Sequence, residues 1–137
     1  MSMPPPEAAP RPRLPALTPA LLAWLLYGSW ACYVNWDYGL SPALTAFVAQ
    51  GIASFSTTLF LTRLIEFLYR HIPTRGLKAA LTPVGAIALI GITLYAIHRL
   101  SGTPDIALTI APSLLIGFAY CLYCTYRLDR LQWAAAQ

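Results

Sequence analysis

Three charged residues follow a long apolar run in the middle of the chain: Arg63, Glu66 and Arg70. Their spacing of three and four positions places them on one face of a helix. Arginine binds phosphate through paired N–H groups, and a neighbouring carboxylate can orient it. With Arg75 and Lys78 shortly after, the pattern predicts a basic patch that binds an anionic lipid or lipid-phosphate headgroup, with Glu66 orienting the arginines. The alternative is an ion-paired helix end at a membrane interface.

A weakly polar stripe precedes these charges in the same apolar segment. Gln50, Ser54 and Thr57 recur at steps of four and three, on a helix face roughly opposite the charged one. Membrane helices associate through small and weakly polar side chains. The stripe therefore predicts either the interior seam of a helix bundle or a polar path that receives a headgroup. A second stripe of small residues predicts the packing face of the third apolar segment: Gly85, Ala88 and Gly91.

The stretch "YVNWDYG" is a third candidate site, because it places Asn35 and Asp37 among aromatic residues. An amide and a carboxylate beside aromatic rings can bind a polar headgroup or a sugar at the outer interface of a membrane. The alternative is an Asx-type turn between two helices, with the aromatic residues forming an interfacial belt. We expect a corresponding belt on the other side, formed by Tyr69, Tyr123, Tyr126 and Trp133.

Two cysteines three positions apart, Cys121 and Cys124, raise the alternative of a membrane redox protein. A disulfide relay needs a second pair, and only Cys32 remains, so small apolar packing residues are the favoured interpretation. His71 and His98 are predicted on opposite sides of a membrane, too far apart to share a metal. The sequence has no phosphate-binding loop, nucleophile elbow or metalloprotease motif. We therefore expect no enzyme activity, no catalytic residue, no cofactor and no metal.

The elements that position these residues follow from composition. The chain has 137 residues, of which 58% are hydrophobic and 10% charged, whereas soluble domains have about 25% charged residues. Four apolar segments, about 16–34, 42–69, 77–97 and 106–126, are long enough to span a bilayer as helices. We expect an all-α bundle of four transmembrane helices over 15–127. A disordered Pro- and Ala-rich tail over 1–14 and a short tail over 128–137 are expected to flank it.

Lys and Arg residues indicate the orientation of the bundle. Seven of the nine lie in the two tails or around the loop between the second and third segments: Arg11, Arg13, Arg70, Arg75, Lys78, Arg127 and Arg130. Since positive residues favour the cytoplasmic side, both termini and this loop are predicted to be cytoplasmic. We expect an integral protein of a bacterial inner membrane. The positive charge falls at the ends of apolar segments, so membrane insertion explains it and nucleic acid is not an expected partner.

The leading functional hypothesis is a small non-enzymatic membrane protein that takes part in translocating a lipid or a lipid-linked substrate. The alternative is a structural or accessory subunit of a larger membrane complex. Membrane lipids are the expected ligands. A chain this small cannot enclose a wide pore, and its small-residue stripes predict a homo-oligomer or a larger membrane partner.

Overall fold

A computed structural model describes residues 17–135, which form four long helices. They are α1 (Leu17–Val34), α2 (Leu40–His71), α3 (Arg75–Leu100) and α4 (Ile106–Ala135). A single 3₁₀ turn, Trp36–Tyr38, joins α1 to α2. Within 17–135 there is no strand, and all four helices are long and apolar enough to cross a membrane. The prediction of an all-helical chain with four such segments is confirmed. The tail predicted over 1–14 lies outside the described residues.

Short turns with specific backbone chemistry separate the helices. Gly39, immediately before α2, has a φ of +107°, and Gly102, between α3 and α4, has a φ of +68°. Side-chain-bearing residues rarely adopt these conformations, so glycine allows both tight turns. Pro73 lies in the turn between α2 and α3, where it cannot extend the first helix. Short turns make consecutive helices antiparallel, so α2 and α4 run in the same direction.

The pair α1–α2 packs through small side chains. Ala20, Gly28 and Ala31 are buried on α1, and Ala43 and Ala46 are buried on α2. In hydrocarbon, where apolar association is weak, such residues let two backbones approach closely and gain dispersion contacts. At Gly28 an added Cβ would lie 3.0 Å from the backbone oxygen of Phe47, and at Gly51 it would overlap the indole ring of Trp24.

A different kind of core holds α3 and α4 against α2. It consists mostly of larger apolar side chains from these three helices: Ala53, Leu61, Ile65, Ala86, Ile90, Leu94, Ile110 and Cys121. The outward faces are also apolar, for example Leu22 and Leu26 on α1, each 62% exposed. A helix that is apolar on all sides is typical of a membrane span.

The helices differ in length. The first has 18 residues, whereas α2 has 32 and α4 has 30. At 1.5 Å per residue, α2 is about 48 Å long, well beyond the ~30 Å of a hydrocarbon core. Residues 128–135, predicted as part of a tail, continue α4. The C-terminal ends of α2 and α4 therefore lie side by side at the end of the bundle that carries the α2–α3 turn.

Candidate functional site

A buried polar network joins α2, α3 and α4. Gln50 and His98 are both fully buried, and Nε2 of His98 lies 2.7 Å from Oε1 of Gln50. On the other side of the ring, Nδ1 lies 2.8 Å from the hydroxyl of Thr103 in the α3–α4 turn. The Gln50 amide nitrogen donates to Ser54, at 3.2 Å, and to Ser113, at 3.0 Å. The network thus runs from the middle of the bundle to the α3–α4 turn.

The proton positions in this network follow from one contact. The Ser113 hydroxyl donates to the carbonyl of Ile110, at 2.8 Å, so its oxygen is left to accept from Gln50. The Gln50 amide nitrogen therefore faces Ser113, and its oxygen faces His98. Since that oxygen only accepts, Nε2 of His98 carries a proton. In a neutral ring, Nδ1 then accepts from Thr103.

Beside this network lies a cavity of 390 Å³ that extends between α1 and α4. Ligand pockets in proteins are about 300–1,000 Å³. Pro19, Ala23 and Tyr27 form its α1 wall, and Ile116 and Tyr120 lie on the α4 side. Because α1 packs mainly on α2, and α4 mainly on α3, these two walls stand apart. The cavity is a groove that opens sideways from the bundle, and we call it the α1–α4 groove.

Hydroxyl groups line the α1–α4 groove in otherwise apolar surroundings. They come from α1, α2 and α4: Tyr27, Ser54, Thr57, Thr58, Thr62, Ser113 and Tyr120. Ser54 and Ser113 connect the groove directly to Gln50. Towards the α2–α3 turn, the hydroxyls of Thr62 and Tyr120 lie 3.0 Å apart and join α2 to α4. A groove of this kind matches a ligand that is largely apolar and carries an oxygen-rich group.

Several of these hydroxyls can still donate. Ser54 accepts from Gln50, and within residues 17–135 its own proton has no acceptor. In the same described region, Tyr27 and Thr57 form no side-chain hydrogen bond, although both line the groove. Thr58 differs, since it donates to the carbonyl of Ser54 at 2.8 Å. Three groove hydroxyls are thus available to an acceptor such as a phosphate or ester oxygen.

The residues of the predicted interior stripe are divided between the buried polar network and the α1–α4 groove. Gln50 and Ser54 are buried in the network, whereas Thr57 is half-buried on the wall of the groove. His98 and Thr103 are the partners that the sequence did not reveal. The only signal for His98 was its ionisable side chain near the end of an apolar segment, where such residues often have a function.

The predicted basic patch lies at the end of the bundle that carries the α2–α3 turn. Arg63 and Arg70 are exposed on α2, Glu66 is half-buried between them, and Arg75 is the first residue of α3. Among residues 17–135, Glu66 forms no ion pair with either arginine, so the expected orientation of the arginines by Glu66 is not observed.

The Lys78 ammonium lies 4.8 Å from the centre of the Tyr69 ring, in a cation–π contact. Tyr69 itself is 2% exposed, so its expected place in an aromatic belt is wrong.

At the other end of the bundle, the predicted site residues Asn35 and Asp37 lie in different environments. Asn35 is fully buried, and its amide nitrogen donates to the carbonyl of Ala31 and to the hydroxyl of Thr109, at 2.9 and 2.8 Å. Its amide oxygen accepts from the backbone of Asp105, at 3.1 Å. Asp37, by contrast, is exposed. Asn35 forms no Asx-type turn, because its side chain makes no cap hydrogen bond to the 3₁₀ turn that follows it. Asn35 instead ties the end of α1 to the start of α4.

The remaining chemical candidates are distributed through the bundle. Cys121 is fully buried in the apolar core, Cys124 is half-buried one turn later, and both are free thiols. His71 is exposed at the end of α2 and bonds its own helix through the carbonyl of Phe67, at 2.7 Å. In the part of the chain that the structure describes, no three His, Cys, Asp or Glu residues are grouped to hold a metal ion.

No protein-family model, curated protein or solved structure matches this chain.

Proposed function

We propose that the chain is an integral protein of a bacterial inner membrane, with both termini and the α2–α3 turn on the cytoplasmic side. Support comes from the four long apolar helices and from the position of the basic residues. Arg70, Lys78 and Arg127 lie at one end of the bundle, and Arg99 lies near the other. Positive residues favour the cytoplasmic side of a membrane protein.

In this protein the α1–α4 groove binds an amphipathic lipid or a lipid-linked molecule. The observation that carries this proposal is a sideways-opening groove in an apolar bundle that is lined by seven hydroxyl groups. The hydrocarbon chain of the ligand leaves the groove between α1 and α4 and enters the bilayer. Its oxygen-rich group accepts hydrogen bonds from Ser54, Thr57 and Tyr27.

The position of the groove supports a role in translocating such a molecule. A polar group that enters hydrocarbon without hydrogen bonds costs several kcal/mol. The groove hydroxyls reduce that cost partway along the bundle. They connect through Gln50 and His98 to Thr103 in the α3–α4 turn. We propose that the protein is a component that carries or hands over the polar end of a lipid along this series of hydroxyl and amide groups.

Native mass spectrometry of the full chain from its own membrane tests the proposal. Wild type is expected to retain one lipid-like ligand per chain. Ser113→Leu fills the groove and is expected to lose that ligand, because a larger apolar side chain replaces a hydroxyl beside Gln50. Ser29→Leu makes the same change on the exposed face of α1, outside the groove, and is the matched control.

A stoichiometric protein partner, with no retained lipid in wild type or with lipid unaffected by Ser113→Leu, would contradict the proposal. That outcome would favour the alternative of an accessory subunit in a larger membrane complex.

A further inference from the structure

A second cavity, of 280 Å³, lies between the C-terminal parts of α2 and α4, away from the α1–α4 groove. Glu66, Tyr69 and Arg70 line it from α2, and Leu128, Leu131 and Gln132 line it from α4. We propose that this α2–α4 pocket binds the headgroup of a zwitterionic aminophospholipid, which carries one primary ammonium and one phosphate.

The charges of the pocket fit such a headgroup. Glu66 and Arg70 are one helical turn apart and both line the cavity. Neither forms an ion pair with the other, or with any other residue in the described part of the chain. One carboxylate is thus available to an ammonium group, and one guanidinium is available to a phosphate. Hydrogen bonds between such charged groups are stronger than those between neutral groups.

The floor of the pocket is held in place by contacts between the helices. The Tyr69 hydroxyl lies 3.1 Å from Oδ1 of Asp129 and 3.3 Å from Oε1 of Gln132, across the α2–α4 boundary. Lys78 of α3 covers the ring of Tyr69. Because Tyr69 is buried by these contacts, the spacing between the two helices is fixed where Glu66 and Arg70 emerge.

The depth of the pocket matches a headgroup, an argument that rests on the membrane insertion proposed above. Glu66 lies about 39 Å along α2 from Leu40, at 1.5 Å per residue. The hydrocarbon core is about 30 Å thick, and the bilayer with its headgroups is about 40–45 Å. Glu66 therefore lies beyond the hydrocarbon, at the level of the lipid phosphates. Leu128 and Leu131 provide an apolar wall for the part of the lipid next to its headgroup.

Other phospholipids match the pocket less well. A headgroup with a phosphate and no amine leaves Glu66 without a positive partner and places two negative charges close together. A trimethylated ammonium carries positive charge, but it has no N–H to donate to Glu66. The pocket should therefore discriminate in favour of a primary amine. This differs from the anionic ligand expected from sequence, because Glu66 binds the ligand and does not orient the arginines.

The test is native mass spectrometry of the full chain in nanodiscs with equal amounts of phosphatidylethanolamine, phosphatidylcholine and phosphatidylglycerol. Wild type is expected to retain the ethanolamine lipid roughly tenfold over each of the others. Glu66→Gln should remove the preference for the amine, and Arg70→Gln should weaken retention of all three lipids. Arg63→Gln removes the same charge from the same face of α2, outside the pocket, and should leave the preference unchanged.

Preferential retention of phosphatidylglycerol, or an unchanged preference in Glu66→Gln, would overturn the proposal. Free phosphoethanolamine, added to the nanodiscs, separates a membrane lipid from a soluble ligand of the same chemistry. Displacement of the lipid at low concentrations of this compound would overturn the assignment to a lipid. Ser113→Leu in the same nanodiscs tests the groove separately. If the preference for the amine persists while wild type holds no ligand in the α1–α4 groove, the proposed function fails and the α2–α4 pocket stands. If the groove ligand is retained and the preference for the amine is absent, only the α2–α4 pocket is rejected.

Discussion

Nε2 of His98 lies 2.7 Å from Oε1 of Gln50, and this contact joins α3 to α2 in the interior of the bundle. Both side chains are fully buried, and Thr103, Ser54 and Ser113 bind their remaining polar atoms. A buried polar group without a partner costs about 1–3 kcal/mol, so a fully bonded network favours one relative arrangement of the three helices. That arrangement also fixes the positions of the two serine hydroxyls in the α1–α4 groove.

The hydrogen bonds of the network predict which nitrogen of the His98 ring carries hydrogen. Because the Ser113 proton is committed to Ile110, Nε2 of His98 must carry hydrogen. Nitrogen-15 spectra of histidine-labelled protein should show a neutral ring with hydrogen on Nε2. In Gln50→Leu that nitrogen loses its acceptor, so the preference for this tautomer should weaken. A wild-type ring with hydrogen on Nδ1 alone would show that the Gln50 amide has the opposite orientation.

Gly51 is expected to tolerate no side chain. Its Cβ would overlap the indole ring of Trp24 at Cδ1 and Nε1. Gly51→Ala must therefore displace the Trp24 ring or separate α1 from α2, and we expect unfolding in mixed detergent to require about 2 kcal/mol less free energy. Gly76→Ala is the control, since no atom lies within 4 Å of the added Cβ. Equal stability of the two variants would show that the close contact of α1 with α2 is absent.

Asn35 should contribute to stability and not to ligand binding. Asn35→Ala leaves the backbone N–H of Asp105 without its acceptor and removes the bond to Thr109. We expect a loss of about 1–3 kcal/mol in the free energy of unfolding. Asp37→Ala, two positions later on the exposed 3₁₀ turn, should change stability little. Lipid retention should be the same in both variants once they are folded, and a loss of lipid from folded Asn35→Ala alone would contradict this assignment.

The helices were predictable because apolar length and turn residues are local properties of a sequence. The interior position of Gln50 and Ser54 also followed from local spacing, since residues four apart share a helix face. Both are buried, as a bundle seam requires. The rotation of each helix about its own axis was harder to predict from the sequence, because it depends on the neighbouring helices.

The third helix illustrates that difficulty. The stripe of Gly85, Ala88 and Gly91 predicted its packing face, yet Ala88 is exposed and the two glycines are only half-buried. The buried face instead follows steps of four: Ala86, Ile90, Leu94 and His98. Small residues are a good guide where a neighbouring helix comes close to the backbone, as the Phe47 carbonyl does at Gly28 and the Trp24 ring does at Gly51. The third helix instead packs through larger side chains. The partnership of His98 with Gln50 depends on that rotation, and so the sequence could not reveal it.

Photo-crosslinking in membranes shows whether a lipid occupies the α1–α4 groove. A lipid with a photoreactive group in its acyl chain should label the groove walls, Tyr27 on α1 and Ile116 on α4, above the background on outward residues such as Leu115. Ser113→Leu should reduce this labelling to background, and Ser29→Leu should leave it unchanged. Labelling spread evenly over the exposed faces, or unaffected by Ser113→Leu, would contradict the claim.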